Sequence, residues 1–232
     1  MTTDFGNATA PSRRAGRPAA SATLTEICLV RHGAYEATDR GHAPDGRWDP
    51  PLSEAGREQA DAVGTRLAAF GWDHLLCSHL RRAGATADRI GAACGLRPAA
   101  DHAWAEFHRG TLEDAIPGRH PDHERRWRDG AWESWPGGEH RRDFRARVLG
   151  ALRRCPEGAR TIVVTHGGVI NEVLCALLGS PARTLFRLDL TGITRIGLDD
   201  GHAVVGCVND TWHLEDSLSM PLTVFSSKGA LR

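Results

Sequence analysis

The stretch Ile27-Cys28-Leu29-Val30-Arg31-His32-Gly33 is an apolar run that stops at an arginine, a histidine and a glycine. A short apolar run bounded by a glycine is typical of a buried strand. The same pattern returns in Ile162-Val163-Val164-Thr165-His166-Gly167-Gly168. Open α/β sheets bind ligands at the carboxyl ends of their strands. We therefore expect these two strands to deliver one imidazole each, from His32 and His166, to the same edge of one sheet.

Around these two strands, the chain alternates between apolar runs and segments of helical periodicity. Further extended segments are predicted over 74–77 and 96–100, and helices over 53–71, 78–94, 139–154 and 169–178. Two late apolar runs flank Asp199-Asp200-Gly201, which indicates a hairpin. Strands that alternate with helices favour a mostly parallel sheet covered on both faces. The expected fold class is therefore α/β, a three-layer sandwich whose mostly parallel central sheet is flanked by helices, with a C-terminal hairpin.

Composition divides the chain into one domain and two tails. Residues 1–22 are rich in small residues, proline and arginine without an apolar period, and are predicted to be a disordered tail. The domain covers 23–216, and 217–232 is expected to be a peripheral C-terminal tail. Within the domain, the Gly-, Pro- and Asp-rich segment 33–51 is predicted to form part of a binding mouth. The tryptophan-rich segment 111–136 is expected to be a lid or short helices over the sheet.

Charge and cysteine usage limit the possible partners and the compartment. The 232 residues carry a formal net charge of zero, so no overall field favours nucleic acid. No apolar stretch is long enough to span a membrane. The six cysteines are scattered singly through apolar segments, which predicts reduced core residues and a cytoplasmic protein. Neither nucleic acid nor a membrane is therefore expected as a partner.

Ionisable groups stand at or just past the carboxyl ends of four extended segments: Arg31 with His32, then Arg82, Glu106 and His166. Guanidinium groups bind the non-bridging oxygens of a phosphoryl group in a forked geometry. A neutral imidazole can attack phosphorus, and a carboxylic acid can protonate the departing oxygen. This set of residues therefore predicts phosphoryl transfer that needs neither a metal nor a cofactor.

The residues themselves carry a resemblance to a known family. Leu29-Val30-Arg31-His32-Gly33 resembles the signature of the histidine phosphatase superfamily, in its phosphoglycerate mutase-like branch. Further segments are similar to that family in the same order: Pro51-Leu52-Ser53-Glu54-Ala55-Gly56-Arg57-Glu58-Gln59-Ala60, Ser78-His79-Leu80-Arg81-Arg82-Ala83, Glu106 followed by Gly110, Pro136-Gly137-Gly138-Glu139, Val163-Val164-Thr165-His166-Gly167-Gly168, and Asn209-Asp210 near His213-Leu214. The likeness spans roughly residues 26–214.

The resemblance implies a covalent mechanism in which His32 is the nucleophile and becomes phosphohistidine. It also implies that Arg31, Arg82 and His166 hold the phosphoryl oxygens. Glu106 would give a proton to the leaving group and then activate water. Such a mechanism requires a neutral His32 held in one tautomer by a partner on its other ring nitrogen. The sequence does not show which group that partner is.

Several positions depart from the family pattern or extend the candidate site. Ala34 and Tyr35 follow the first glycine where many members carry Glu or Gln and then Thr or Ser, and Thr38 stands where related mutases often have asparagine. These changes put the substrate, rather than the phosphoryl chemistry, in question. The remaining candidate phosphate- or substrate-binding residues are Gly167, Thr38, His108, Arg109 and Glu139.

Three functions compete on this evidence. The first is a metal-independent phosphatase that hydrolyses a small-molecule phosphomonoester through phosphohistidine on His32. The second is a phosphoglycerate mutase-type isomerase, which needs the same residues and a closed pocket. The third is a non-catalytic phospholigand-binding protein, although both histidines, both arginines and the candidate acid are present. A homodimer that pairs through the terminal hairpin is a further expectation.

Overall fold

A computed structural model describes residues 24–39, 41–110, 137–182, 184–199 and 202–214. Both predicted tails, 1–22 and 217–232, lie outside these residues. The segment 111–136, which is expected to form a lid or short helices, also lies outside them. The predictions for those parts of the chain therefore stay predictions.

The elements follow one another in the alternating order that the sequence indicates. The strands are β1 (Thr25–Arg31), β2 (His74–Cys77), β3 (Ala99–Ala100), β4 (Arg160–Thr165), β5 (Ile193–Asp199) and β6 (His202–Asp210). The helices are α1 (Glu54–Ala68), α2 (Arg81–Cys94), α3 (Arg141–Arg153) and α4 (Gly167–Leu177), with a short 3-10 helix over His102–Trp104.

One six-stranded sheet organises the described residues, in the order β3-β2-β4-β1-β5-β6. Strands β3, β2, β4 and β1 are parallel to one another, whereas β5 and β6 run antiparallel as the C-terminal hairpin. The predicted fold class is therefore confirmed.

β6 forms one edge of the sheet, and Val204 on it is exposed. Pairing of this edge in a homodimer stays a prediction.

Alternating side chains of the central strands build a core on each face of the sheet. Ile27 and Leu29 of β1 pack with residues of α3 and α4, while Cys28 and Val30 pack with residues of α1 and α2. Successive strand residues point to opposite faces, so one apolar run serves both cores. This arrangement explains why the central part of β1, Ile27 to Val30, is apolar without alternation. All six cysteines are free thiols, as the sequence predicts.

The helix ends show local sequence signals, although the observed bounds differ from the predicted ones by up to three residues. Ser53 caps α1 by accepting a hydrogen bond from the amide of Gly56, and Gly95 ends α2 with a left-handed φ of 70°. Helix α3 starts at Arg141 because the ring of His140 caps it. Helix α4 starts at Gly167, two residues earlier than apolar periodicity indicates, since glycines carry no hydrophobic signal.

Among the described residues, no helix combines the length and apolar content required to cross a bilayer.

Candidate active site

The two histidines that follow the central strands lie side by side. β1 and β4 pair in parallel with Arg31 opposite Thr165, and the amide of His32 donates to the carbonyl of Thr165 at 2.9 Å. His32 and His166 are therefore the next residues of adjacent strands, and their ring centroids are 5.0 Å apart. Both side chains are almost completely buried. The register of one strand pair thus brings together two imidazoles that are distant in the chain.

The ring of His32 is held in one tautomer by its own backbone neighbourhood. Nδ1 lies 2.8 Å from the carbonyl oxygen of Gly33, which can only accept a hydrogen bond, so Nδ1 carries the proton. On the other side, Nε of Arg82 donates to Nε2 of His32 at 3.3 Å. Burial, followed by the positive charges of Arg82 and Arg31, lowers the pKa of His32 well below its ordinary value. His32 is therefore a neutral imidazole whose Nε2 lone pair faces a guanidinium group.

Both arginines of the pattern reach this edge of the sheet. Arg82, in the first turn of α2, is buried and also donates from Nη1 to the carbonyl of Trp48 at 3.1 Å. Arg31 is the last residue of β1 and donates from Nη1 to the carbonyl of Leu188. Its Nε is buried and has no hydrogen-bond partner among the described residues. Two guanidinium groups therefore flank the imidazole pair and supply the forked donors that a phosphoryl group binds.

His166 is oriented by a serine of the neighbouring strand end. Its Nε2 lies 2.9 Å from Oγ of Ser78, the residue that follows β2. Burial and then the charge of Arg82 lower the pKa of His166 well below its ordinary value. Gly167, another predicted phosphate-binding residue, opens α4 directly after His166, and a Cβ there would lie 3.6 Å from Nε of Arg31. The start of α4 and Arg31 thus face each other beside the histidines.

The carboxylate of Glu106 sits at the amino end of α4. Its Oε2 accepts from the amide of Gly168 at 3.1 Å, and its Oε1 accepts from the amide of Phe107 at 2.9 Å. A Cβ on Gly168 would lie 2.2 Å from Oε1, so only glycine leaves room for this approach. Glu106 is thereby placed beside the helix that His166 caps.

A fully engaged arginine fixes the backbone that carries Glu106. Arg147 of α3 donates from Nη1 to the carbonyls of Ala103 at 2.9 Å and Ala105 at 2.8 Å, and from Nη2 to that of Glu106 at 3.2 Å. Its Nε and Nη2 also donate to the two carboxylate oxygens of Glu139 at 2.6 and 2.8 Å. These five bonds use every N–H donor of the side chain. We call Arg147 and Glu139 the clamp.

The other candidate binding residues occupy varied positions. Glu139 belongs to the clamp, while His108 joins two loops, with Nε2 donating to the carbonyl of Asp45 at 3.2 Å and Nδ1 accepting from the amide of Gly110 at 3.0 Å. Thr38 and Arg109 are exposed. No contact with a substrate tests these four residues, so their binding roles stay predictions.

Tyr35 lies beside His32 and Trp48 lies beside Tyr35, and only Tyr35 was indicated by the sequence. The ring of Tyr35 meets His32 edge-on at 5.6 Å between centroids and Trp48 at 5.3 Å, and the guanidinium of Arg82 lies 5.7 Å from its centroid. We call Tyr35 and Trp48 the aromatic corner. Trp48 falls in the segment predicted to be a binding mouth, but a single tryptophan in a polar loop gave no signal of its own.

Comparison with known proteins identifies the family of this chain. The profile of the histidine phosphatase superfamily (branch 1) matches residues 27–211, so the chain belongs to that superfamily. "Probable phosphoglycerate mutase GpmB" of Serratia proteamaculans is 30% identical over 207 residues, covering 83% of this chain and 96% of the relative. The corresponding protein of Salmonella newport is 31% identical over the same share of both chains.

Solved structures of the same architecture include several phosphatases. YhfR of Bacillus stearothermophilus superposes with a TM-score of 0.71 and 26% identity, over 82% of this chain and 98% of that one. A mycobacterial glucosyl-3-phosphoglycerate phosphatase in complex with inorganic phosphate gives 0.68 and 26%, over 82% and 99%. The alpha-ribazole phosphatase of Shigella flexneri gives 0.66 and 25%, over 80% and 96%. The chain thus shares its fold with phosphatases and its sequence with proteins named as mutases.

Proposed function

We propose that this protein is a metal-independent phosphatase that hydrolyses a small-molecule phosphomonoester through a phosphohistidine intermediate on His32. The observation that carries the proposal is the state of His32, a neutral imidazole with its proton fixed on Nδ1 and its Nε2 lone pair beside Arg82. A nucleophilic imidazole next to a guanidinium group suits attack on a phosphoryl group that the same guanidinium holds. The phosphatases among the structural neighbours support the same reaction.

In the first half-reaction, Nε2 of His32 forms a bond to phosphorus while the bond from phosphorus to the leaving oxygen breaks. Glu106 in its acid form gives its proton to that oxygen. Amide hydrogen bonds from Phe107 and Gly168 fix the position of this carboxyl group.

In the second half-reaction, the Glu106 carboxylate takes a proton from water, and the oxygen of that water attacks phosphorus. The bond from nitrogen to phosphorus breaks, so inorganic phosphate leaves and His32 returns to its neutral form. Arg31, Arg82 and His166 face the phosphoryl oxygens in both steps and stabilise the charge that develops on them. A reducing, cytoplasmic setting is part of this proposal, because all six thiols are free.

Hydrolysis of p-nitrophenyl phosphate in the presence of EDTA tests the proposal. We expect turnover in the wild type, an acid-labile phosphoprotein after rapid quenching, and loss of both in His32→Ala. A dependence on added divalent metal, or an unchanged rate in His32→Ala, would rule the proposal out. Phosphate binding without turnover on any phosphoester would instead support a non-catalytic phospholigand-binding protein.

The names of the sequence relatives favour a second candidate, a phosphoglycerate mutase-type isomerase. The two reactions share the phosphohistidine and differ in the acceptor, which is water in one case and a phosphoglycerate hydroxyl in the other. Incubation with 3-phosphoglycerate and a trace of 2,3-bisphosphoglycerate separates them. Formation of 2-phosphoglycerate faster than release of inorganic phosphate would favour the mutase.

A further inference from the structure

Three metal-ligating side chains meet outside the residues used in the proposed hydrolysis. Asp45 lies in the loop between β1 and α1, His79 lies in the turn between β2 and α2, and His102 begins the 3-10 helix. One donor atom from each lies within 4.8 Å of the other two. Nε2 of His79 is 3.1 Å from Oδ2 of Asp45. The fold therefore brings two imidazoles and a carboxylate together from three separate segments.

The imidazole of His79 lacks the hydrogen bonds that a buried ring normally makes. Its side chain is 13% exposed, both ring nitrogens are buried, and neither has a hydrogen-bond partner in the described part of the chain. The 3.1 Å approach of Nε2 to Oδ2 of Asp45 is an ion-pair contact. A buried polar atom without a partner costs about 1–3 kcal/mol, so native proteins rarely leave one without a reason. A ligand bound at Nε2 would remove this cost for that nitrogen.

We propose that Asp45, His79 and His102 bind a divalent transition-metal ion of the zinc type. Two imidazoles and one carboxylate are a donor set that proteins use for zinc, with a fourth position left to water or another ligand. Bonds of about 2.0–2.2 Å in a tetrahedral site place the donor atoms roughly 3.4 Å apart. Nε2 of His79 and Oδ2 of Asp45, 3.1 Å apart, are already close to this separation. The proposed hydrolysis makes no use of the ion.

Binding requires a small adjustment of His102. The rings of His79 and His102 stack at 3.8 Å between centroids with an interplanar angle of 20°, and parallel rings do not aim two lone pairs at one point. His102 is exposed, so its ring can tilt toward the other two donors. Arg47 also binds Oδ2 of Asp45 and competes with the ion for it. We therefore expect an affinity in the micromolar range rather than that of a buried structural zinc site.

Calorimetric titration of the tag-free, EDTA-treated and desalted protein with zinc chloride tests the proposal. We expect one site per chain, with an affinity at least about tenfold lower in both Asp45→Asn and His102→Ala, since the loss of even a supporting residue typically weakens metal binding 10- to 100-fold. The matched control is His74→Ala, which removes another exposed histidine, at the start of β2, and should bind zinc as the wild type does. Equal affinity in wild type, Asp45→Asn and His102→Ala would overturn the proposal, and so would an absence of binding in the wild type.

Visible absorption of the Co²⁺-loaded protein is a second, independent test of which residues bind the ion. The Co²⁺-loaded protein should show visible absorption bands of nitrogen and oxygen ligation, and these should be lost in His102→Ala. An intense thiolate-to-cobalt band would assign the ion to cysteines and contradict the proposed ligands. His32→Ala separates the two proposals, because this variant should lose phosphatase turnover and keep zinc binding. Failure of one proposal therefore leaves the other standing.

Discussion

The clamp offers a direct test of how Glu106 acts. In the variant Arg147→Met, the side chain keeps an apolar stem beside Phe144 but loses all five hydrogen bonds. Three of those bonds hold carbonyls of the segment 103–106, which carries Glu106. We expect the carboxyl group to lose its fixed position relative to the histidines, while His32, Arg31 and Arg82 stay in place.

The size of the effect should depend on the leaving group. General acid catalysis contributes about 10²- to 10⁴-fold, and a misplacement of about 1 Å can cost about 10²-fold. The parameter to compare is kcat/KM, which reports the first half-reaction and not the attack of water that follows. For an alkyl phosphate, whose leaving oxygen needs a proton, kcat/KM should fall about 10²-fold. For p-nitrophenyl phosphate, whose leaving group departs readily as an anion, kcat/KM should fall by less than about fivefold. The assay is a plot of log kcat/KM against the pKa of the leaving alcohol, which should become steeper in the variant.

A loss of stability must be separated from this catalytic effect. Breaking a buried ion pair by removing one partner costs about 3–5 kcal/mol, and the clamp, with side chains 20% and 14% exposed, belongs at the lower end. Arg145→Met is the matched control, because Arg145 lies on the same helix and pairs with the buried carboxylate of Glu172 at 2.9 Å. Both variants should unfold at lower urea concentrations. If Arg147→Met kept the wild-type slope, or if Arg145→Met steepened it equally, Arg147 would have no positioning role.

Three further predictions concern single positions. Gly168→Ala places a Cβ 2.2 Å from a carboxylate oxygen of Glu106, so it should displace the proposed acid and lower kcat for alkyl phosphates about 10²-fold. The control is Gly84→Ala, whose Cβ would have no atom within 4 Å. This variant should leave kcat unchanged and add about 0.5–1 kcal/mol to the free energy of unfolding. Arg82→Gln removes a positive charge that, after burial, lowers the pKa of His32, so this pKa should rise toward the ordinary value; an NMR titration of the imidazole that shows no upward shift would contradict this. Tyr35 lies edge-on to the ring of His32, so we expect it to contact an aryl leaving group. Such a contact is worth about 1 kcal/mol, so Tyr35→Ala should raise KM for aryl phosphates about fivefold, with a smaller change for glycerol phosphate. Equal changes for both substrates would count against the aromatic corner as a leaving-group contact.

The sequence predicts the structure where one local pattern occurs twice in the chain, or where a single residue type ends a helix or strand. The strand-histidine-glycine pattern predicts the parallel neighbours β1 and β4, and their pairing places His32 beside His166. The bounds of β2 and the end of α2 at Gly95 also follow from local residues. These predictions succeed because an apolar run or a left-handed glycine restricts the backbone at that position alone.

Contacts between distant segments could not be predicted from the sequence. The partner of His32 Nδ1 is the backbone carbonyl of the next residue, and a carbonyl is present at every position. Arg147 is one of many arginines, and periodicity identifies only the apolar face of α3. Glu139 is predicted as a binding residue, since its pairing with that arginine is not visible in the sequence. The sequence does not indicate His79 and His102 as metal ligands, because each is a lone histidine until the fold brings them together.

The pairing of β1 with β4 also has a consequence for how the protein folds. These strands are far apart in the chain, and β5 closes the other side of β1 from a segment that is later still. Pairings between distant segments form slowly, because the chain must close a long loop before any contact stabilises it. A growing chain on the ribosome can therefore not assemble the histidine pair until β4 has been synthesised, so the capacity to bind phosphate would report the pairing of these distant strands.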